Sequence, residues 1–184
     1  MYLKKILRIN MSSIASIVSM NTDEKFYENE NGVYFKSSWP SQWYQVNFVI
    51  DDIAYTCCEK YMMAEKARFF DDKESEVLIM GTDEPKEQKN YGRAVKNFNE
   101  DAWNVVADMI VYRANLAKFS QNEDLKRKLL STGDKIIVEC SPYDKIWGNG
   151  LSITGTLNTH PDSWNGTNRL GKAIMKVREY LRTI

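Results

Sequence analysis

The sequence predicts an α+β fold, a helix-rich domain with a small β-sheet. Long stretches place apolar residues at helical spacing, whereas runs of β-branched and aromatic residues are short. The segments do not alternate in the βαβ rhythm of a Rossmann fold, and the glycines of "GNGLSITG" do not open a helix after a strand. A dinucleotide fingerprint is therefore excluded.

The first elements lie in residues 33–55, where aromatic and β-branched residues predict short strands, the best of them Val46–Ile50. A helix over Cys57–Phe70 follows, and Thr56 stands three residues before Glu59, the spacing of a capping box. The apolar side chains that define one face of this helix are Cys58, Tyr61, Met62 and Phe69.

The middle of the chain alternates polar and apolar segments. "DDKESE" and "GTDEPKEQKNYG" are polar, and the second contains Gly81 and Pro85, so both are interpreted as breaks around a short apolar piece, Val77–Met80. A long helix is predicted from Glu100, with Asn99 as its N-cap.

The last third predicts a short helix, a strand and a final helix. "NEDLKRKLLSTG" forms a helix that ends at Gly133, and the strand "KIIVEC" follows. "NRLGKAIMKVREYLRTI" closes the chain as a helix, with Asn168 placed to cap it.

Charge and cysteine content limit the function classes. Lys plus Arg and Asp plus Glu number 25 each, so bulk charge does not favour duplex nucleic acid. Cys57, Cys58 and Cys140, with His160 as the one histidine, suit neither a disulfide framework nor a CxxC metal site. These features predict a reduced, cytoplasmic protein without a metal or cofactor.

The predicted domain organisation is a loosely ordered leader over residues 1–25 and one domain over residues 26–184. In the leader, Arg8, Asn10 and several serines interrupt the apolar stretch before a continuous hydrophobic region forms. No membrane segment is expected.

Two pairs of residues are candidates for a functional site. Glu59 and Lys66 are seven apart, so both project from one side of the same helix. Asp144 and Trp147 lie three apart in "SPYDKIWGNG", where a rigid loop would place a charge beside an aromatic ring. The alternatives are structural: a capping glutamate with a solvated lysine, and a tight turn whose tryptophan fills the core.

Two further signals concern buried or terminal charges. Glu139 lies within an apolar strand, so it is expected to pair with Lys118 or Arg93. "WNGTNRLG" could offer backbone N–H groups and Arg169 to a phosphate at a helix start, although plain helix capping explains the same pattern.

The order of several motifs resembles the NADAR family, named for NAD and ADP-ribose, from about Tyr34 to the C-terminus. The blocks that carry the resemblance are "PSQWY", "CCEKYMMAEKA", "GRAVKNF", "LAKFSQN", "LLSTGDKIIVECSPYDKIWGNGL" and "GTNRLGKAIMKVR". Members of this family resemble N-glycosidases that act on ribosylated bases.

The resemblance implies a role for each candidate residue. Glu59 would stabilise the positive anomeric carbon or activate water, and Lys66 would be its charged neighbour or form a Schiff base with the opened sugar. Asp144 would bind ribose hydroxyls or act as an acid. The implied substrate-binding residues are Gln42, Trp43, Trp147 and Gly148 around the sugar and base, and Arg93, Lys118, Asn168 and Arg169 at phosphate or polar groups.

Three functions follow from this resemblance. The first is hydrolysis of a phosphoribosylated pyrimidine of the riboflavin pathway type. The second is removal of ADP-ribose from a modified guanine, in which nucleic acid would be a partner only as the modified-base substrate. The third is a module that binds ADP-ribose or an NAD derivative without turnover.

Overall fold

The structure, a computed structural model, describes residues 25–184. The predicted leader therefore lies outside the described residues, apart from Lys25. The strands are β1 (Phe26–Glu28), β2 (Gly32–Phe35), β3 (Phe48–Ile50), β4 (Ile53–Tyr55) and β5 (Ile136–Glu139). The helices are α1 (Cys58–Phe69), α2 (Lys73–Met80), α3 (Pro85–Arg93), α4 (Glu100–Ser120), α5 (Glu123–Ser131), α6 (Ile153–Leu157) and α7 (Arg169–Leu181), with a 3₁₀ turn at Pro161–Ser163. The predicted α+β class is confirmed.

The larger sheet has three strands in the order β1-β2-β5. β1 runs antiparallel to β2, and β5 runs parallel to it, so the chain between β2 and β5 must cross over. The register pairs Phe35 with Glu139, which ends β5. The loop that carries Asp144 and Trp147 begins directly beyond this strand end.

The predicted strand Val46–Ile50 is shorter than expected. It forms β3 of a separate hairpin with β4, and the two-residue turn uses Asp51 and Asp52, both with positive φ. Positive φ at both central residues is the geometry of a tight hairpin turn that matches strand twist. The Val46 N–H extends the contact by donating to the Thr56 carbonyl at 2.9 Å.

Helix α1 confirms the helix predicted over residues 57–70, but the predicted capping box does not form. The N-cap residue is Cys57, and no side chain caps the helix. The Glu59 N–H instead donates to the Gln42 carbonyl at 3.0 Å. The Glu59 side chain is therefore free to point elsewhere.

The prediction of a break at "GTDEPKEQKNYG" is wrong, because α3 occupies most of it. Pro85 stands at the first helical turn, where its missing N–H has no helical partner to lose. Gln88 and Gly92 are buried on the inner face. A Cβ at Gly92 would lie 2.0 Å from the Met63 sulfur, so the glycine permits close packing of α3 on α1.

The later helices follow the sequence prediction closely. The Asn99 side chain caps α4 by accepting from the Ala102 N–H at 2.8 Å. Helix α5 ends at Ser131, and Gly133 adopts a φ of +55°, as expected of a glycine just past a helix end. One core joins β2, β3, α1, α4 and α7 through fully buried side chains such as Phe35, Phe119 and Ile174.

Within residues 25–184 no helix combines the length and the apolar character needed to cross a bilayer.

Candidate active site

A cavity of about 630 Å³ lies between α1, α3, the first turn of α4, the loop after β5 and the start of α7. It brings together Glu59, Lys66, Asp144 and Trp147, the four residues of the two predicted pairs. The other lining residues are Gln42, Trp43, Met62, Met63, Lys89, Arg93, Phe98, Glu100, Trp103, Asn104, Glu139, Pro142, Tyr143, Lys145, Ile146 and Arg169. A concave site with convergent polar groups and aromatic walls is typical of a small-molecule site.

Glu59 enters the cavity from the first turn of α1 and is only 6% exposed. Burial raises the pKa of its carboxyl to about 7, and the nearby carboxylate of Asp144 adds to this rise. Lys89, Trp43 and Arg93 act in the opposite direction by favouring the ionised form. The carboxyl therefore titrates near neutral pH, where a group can both accept and release a proton.

Lys66 lies two helical turns after Glu59, on the same side of α1. Its Nζ donates to the Gly92 carbonyl at 2.8 Å and lies 3.9 Å from the centroid of the Phe98 ring. Burial lowers the pKa of the Lys66 ammonium, Arg93 lowers it further, and Glu59 opposes both. Desolvation beside another cation increases the fraction of neutral amine.

Asp144 organises the loop after β5. Its Oδ1 accepts hydrogen bonds from the backbone N–H groups of Ile146 at 3.0 Å and Trp147 at 2.8 Å. Gly148 is needed here, because a Cβ on it would lie 2.8 Å from the Asp144 carbonyl oxygen. One carboxylate oxygen thus fixes the loop, which leaves the other oxygen to a ligand.

Glu139 lines the same cavity, and the prediction that it pairs with Lys118 or Arg93 is wrong. Its Oε2 is buried and has no hydrogen-bond partner in the part of the chain that the structure describes. Burial raises the pKa of the Glu139 carboxyl to about 8, and the negative charges of Asp144 and Glu59 reinforce the rise. The carboxyl groups of Glu139, Glu59 and Asp144 therefore lie close enough in one cavity for their charges to interact.

Cations line the cavity at the side formed by α3 and the loop. Within residues 25–184, none of Lys89, Arg93 and Lys145 forms a salt bridge. Lys89 instead lies 5.6 Å from the centroid of the Trp43 ring. Cations without carboxylate partners are available to an anionic ligand.

Arg169 and Trp147 form the wall beside α7. The guanidinium carbon lies 4.7 Å from the centroid of the Trp147 ring. The same guanidinium donates to Asp108 at 2.7 Å and to Asn104 at 2.8 Å. Trp147 therefore offers a base only its remaining face or its edge, and Arg169 is held in place before any ligand binds.

Three of the predicted binding residues do not line the cavity. The Lys118 ammonium is fully buried and donates to the Ser41 carbonyl at 2.8 Å. It therefore stabilises the "PSQWY" segment without lining the cavity. Asn168 is also buried, and Gly148 contributes close backbone packing. Because none of the three faces the cavity, direct contact with a substrate is not expected from them.

The Asn168 side chain does not cap α7, contrary to the prediction. It stands at the N-cap position with a φ of +49°, but its side chain turns to β5. There Oδ1 accepts from the Glu139 N–H at 3.0 Å and Nδ2 donates to the Ile137 carbonyl at 2.9 Å. Asn168 thus joins the start of α7 to the strand end that carries Glu139.

Sequence reasoning missed Glu139, Lys89 and Lys145 as cavity residues. Lys89 was missed because α3 was interpreted as a break. A signal for Glu139 was present, since functional side chains commonly follow strand ends beside rigid loops. Among residues 25–184, no cluster of three or more His, Cys, Asp or Glu side chains is placed to hold a metal ion.

The fold and the cavity define a protein with a small-molecule binding site. Comparisons with known proteins identify its family. The NADAR domain profile matches residues 25–182. A protein of Acanthamoeba polyphaga mimivirus that is named an N-glycosidase is 42% identical over 170 residues, which cover 87% of this chain and 98% of the viral protein. The chain therefore belongs to the NADAR family, and the predicted class of N-glycoside hydrolase is confirmed.

Two more distant proteins are also similar to this chain. A chloroplastic riboflavin biosynthesis protein of Zea mays is 29% identical over 164 residues, which cover 85% of this chain but only 22% of the maize protein. The NMR structure of the Escherichia coli protein YbiA has a TM-score of 0.69 at 24% identity, and the match covers 89% of this chain and 94% of YbiA. The fold is thus shared with YbiA.

Proposed function

We propose that the protein hydrolyses the N-glycosidic bond between a phosphorylated ribose and a nitrogenous base, such as an intermediate of riboflavin biosynthesis. The observation that carries this proposal is the cavity itself, whose walls combine carboxyl groups, indole rings and cations that form no salt bridge within residues 25–184. The maize relative, with riboflavin biosynthesis in its name, supports the choice of base.

The cations support a phosphorylated rather than a neutral sugar. Arg93 lies at the end of α3, Lys89 one turn before it, and Lys145 on the opposite loop. Guanidinium and ammonium groups bind phosphate oxygens through charge-assisted hydrogen bonds. A phosphate near α3 would place the attached ribose towards Glu59 and Lys66 on α1.

Cleavage of a ribose–base bond develops positive charge on the anomeric carbon and the ring oxygen. The Glu59 carboxylate would stabilise this charge and take a proton from the attacking group. Asp144 would hold a ribose hydroxyl through the carboxylate oxygen that the loop does not use. Trp43 and the free part of Trp147 would contact the base.

Lys66 allows two routes to the same products. In the first, water activated by Glu59 attacks the anomeric carbon, and the Lys66 ammonium forms no bond to the substrate. In the second, the neutral Lys66 amine attacks that carbon, the base departs with the bonding electrons, the sugar ring opens to an imine, and water releases the sugar. The lowered pKa of Lys66 favours the second route.

A larger ADP-ribosylated guanine is the second candidate, and one observation favours it. A neighbouring cavity of about 390 Å³ shares Arg169 with the first and also contains Lys172 and Lys176. A diphosphate with a second nucleoside would find cations there. In this case the cleaved bond would join ADP-ribose to the guanine.

The test is to incubate the protein with riboflavin intermediates, ADP-ribosylated guanosine and NAD, and to measure free base by chromatography. We expect base release from the phosphoribosylated pyrimidine. Glu59→Gln should lower kcat by about a thousandfold and change ligand affinity by less than about tenfold, because one carboxylate acts mainly in the transition state. Glu179→Gln on the exposed side of α7 is the matched control and should keep full activity.

Full activity of Glu59→Gln would refute the role of this residue. If the wild-type protein binds ADP-ribose or NAD but releases no base from any compound, the protein is a binding module and the proposed hydrolysis is wrong.

A further inference from the structure

Glu139 lines the cavity with a buried carboxyl group, but it has no part in the reaction as proposed so far. Its Oε2 is buried without a hydrogen-bond partner among the described residues, although the residue lines the cavity. A buried carboxyl group that lacks partners is unfavourable as an anion, so it is retained as the neutral acid or serves a function. In the neutral form it carries a proton that it can donate.

The backbone around Glu139 is fixed on both sides. Its N–H donates to Asn168 Oδ1 at 3.0 Å, and its carbonyl accepts from the Asn149 N–H at 2.9 Å. Gly148 also packs closely on it, because a Cβ there would lie 3.1 Å from the Glu139 carbonyl oxygen. The side chain thus enters the cavity from a rigid strand end, which is the preorganisation that a catalytic group needs.

The charged groups that face Glu139 come from three elements. Glu59 on α1 and Asp144 on the loop after β5 are negative and favour the protonated form of Glu139, whereas Lys89 on α3 favours the ionised form. These neighbours suit Glu139 to the role of an acid. It would hold its proton in the free enzyme and release it when negative charge develops nearby.

We propose that Glu139 is the catalytic general acid that protonates the departing base. This inference rests on the proposed N-glycosidase function and names the proton donor of that reaction. As the bond from the anomeric carbon to nitrogen breaks, its electron pair goes to nitrogen, which takes the proton of Glu139. The resulting carboxylate is stabilised by Lys89. The proton lost by the attacking group, either water or the Lys66 amine, restores the acid through Glu59.

This assignment gives Asp144, Glu59 and Glu139 separate roles in the reaction. Asp144 has one oxygen engaged by the backbone N–H groups of its own loop, so it acts as a fixed acceptor for the sugar. Glu59 serves the anomeric carbon, and Glu139 serves the base. Two carboxyl groups with separate duties on either side of the broken bond are the usual arrangement in glycoside hydrolysis.

The first test is the pH dependence of kcat for wild-type protein and Glu139→Gln, measured by chromatography of the free base. Wild-type kcat should fall with rising pH above about pH 8, because the acid loses its proton. Glu139→Gln should lose that alkaline limb and have a kcat about 100-fold to 1000-fold lower. Glu139→Asp should recover part of the rate, and Glu179→Gln should behave as wild type.

The second test needs no substrate. NMR of protein with ¹³C-labelled glutamate carboxyl carbons follows each titration, and Glu59→Gln and Glu139→Gln assign the two cavity signals. The Glu139 signal should be that of a neutral acid at pH 7. A Glu139 that is already ionised at pH 7 overturns the proposal whatever the substrate is.

The two tests separate this inference from the proposed function. If wild-type protein releases base and Glu139→Gln keeps both the rate and the alkaline limb, Glu139 is not the acid and the N-glycosidase assignment stands. If the wild-type protein releases no base from any compound, the proposed function is wrong and the catalytic role of Glu139 with it.

Discussion

Replacement of Glu139 by glutamine should stabilise the protein, and the gain should depend on pH. Oε2 of Glu139 is buried without a partner among the described residues, and burial together with Asp144 and Glu59 raises the pKa of its carboxyl to about 8. Glutamine has nearly the same shape and carries no charge. Any effect of the substitution on packing is therefore independent of pH, whereas the cost of the buried charge is not.

The sign and the size of the expected change in the free energy of unfolding follow from proton linkage. Glu139 has a folded-state pKa above its ordinary value of 4.5, so its contribution to stability is fully present below pH 4.5 and is lost as the pH rises to about 8. At about 1.36 kcal/mol per pKa unit this sets an upper limit on the order of 5 kcal/mol. Because the cavity opens to water, we expect roughly 2–5 kcal/mol.

The assay is urea-induced unfolding of wild-type protein and Glu139→Gln at pH 5, 7 and 9. The difference in the free energy of unfolding should be small at pH 5 and should reach its full value, in favour of the variant, at pH 9. Glu59 also has a raised pKa, but it is present in both proteins and its effect largely cancels. A difference between Glu139→Gln and wild type that is the same at pH 5 and pH 9 would refute the reasoning.

Three further predictions concern Lys66 as the nucleophile, Arg93 as a binding residue for the substrate phosphate, and the packing of α7. Sodium borohydride added during turnover should leave a reduced sugar adduct on Lys66, seen by mass spectrometry and absent in Lys66→Met; turnover without an adduct would support the water route. Arg93→Met should lower kcat/KM about 10-fold to 100-fold for a phosphorylated substrate but little for its unphosphorylated form, because a charged hydrogen bond is lost; equal losses on both would contradict a phosphate role. Gly171→Ala should lower the free energy of unfolding by about 3 kcal/mol in urea denaturation, because its Cβ would lie 2.0 Å from the Ile137 carbonyl oxygen; wild-type stability would show that α7 can shift away from β5.

The sequence predicted those elements whose local signals agree with their tertiary role. The long helix α4 has both an apolar face and a true side-chain cap at Asn99, and the end of α5 has a glycine with positive φ. Helix α3 could not be found this way, because most of its residues are polar. It is held in part by contacts that are distant in sequence, because the Cys57 thiol donates to Gln88 and the Lys66 ammonium donates to the Gly92 carbonyl.

The candidate site was predicted in part for a similar reason. Spacing along one helix relates Glu59 to Lys66, and spacing along one loop relates Asp144 to Trp147, but neither shows which face meets the other. Glu139 was predicted to be paired because an unpaired buried carboxyl group is costly. That rule describes residues selected for stability, and it fails where a group must keep its proton available for a reaction.

The same substitution of Glu139 therefore has opposite expected effects in two assays. The strand end that holds Glu139 is fixed through Asn168, a residue with positive φ whose side chain bridges two backbone groups of β5. A fold that holds a carboxyl group by such contacts, although its Oε2 has no partner among residues 25–184, loses stability at neutral pH. Under the proposed role it gains a proton donor in its cavity. A residue with only a structural role would lose stability and activity together. Greater stability at pH 9 combined with a lower kcat in Glu139→Gln is thus the outcome that a catalytic acid requires and a structural residue cannot give.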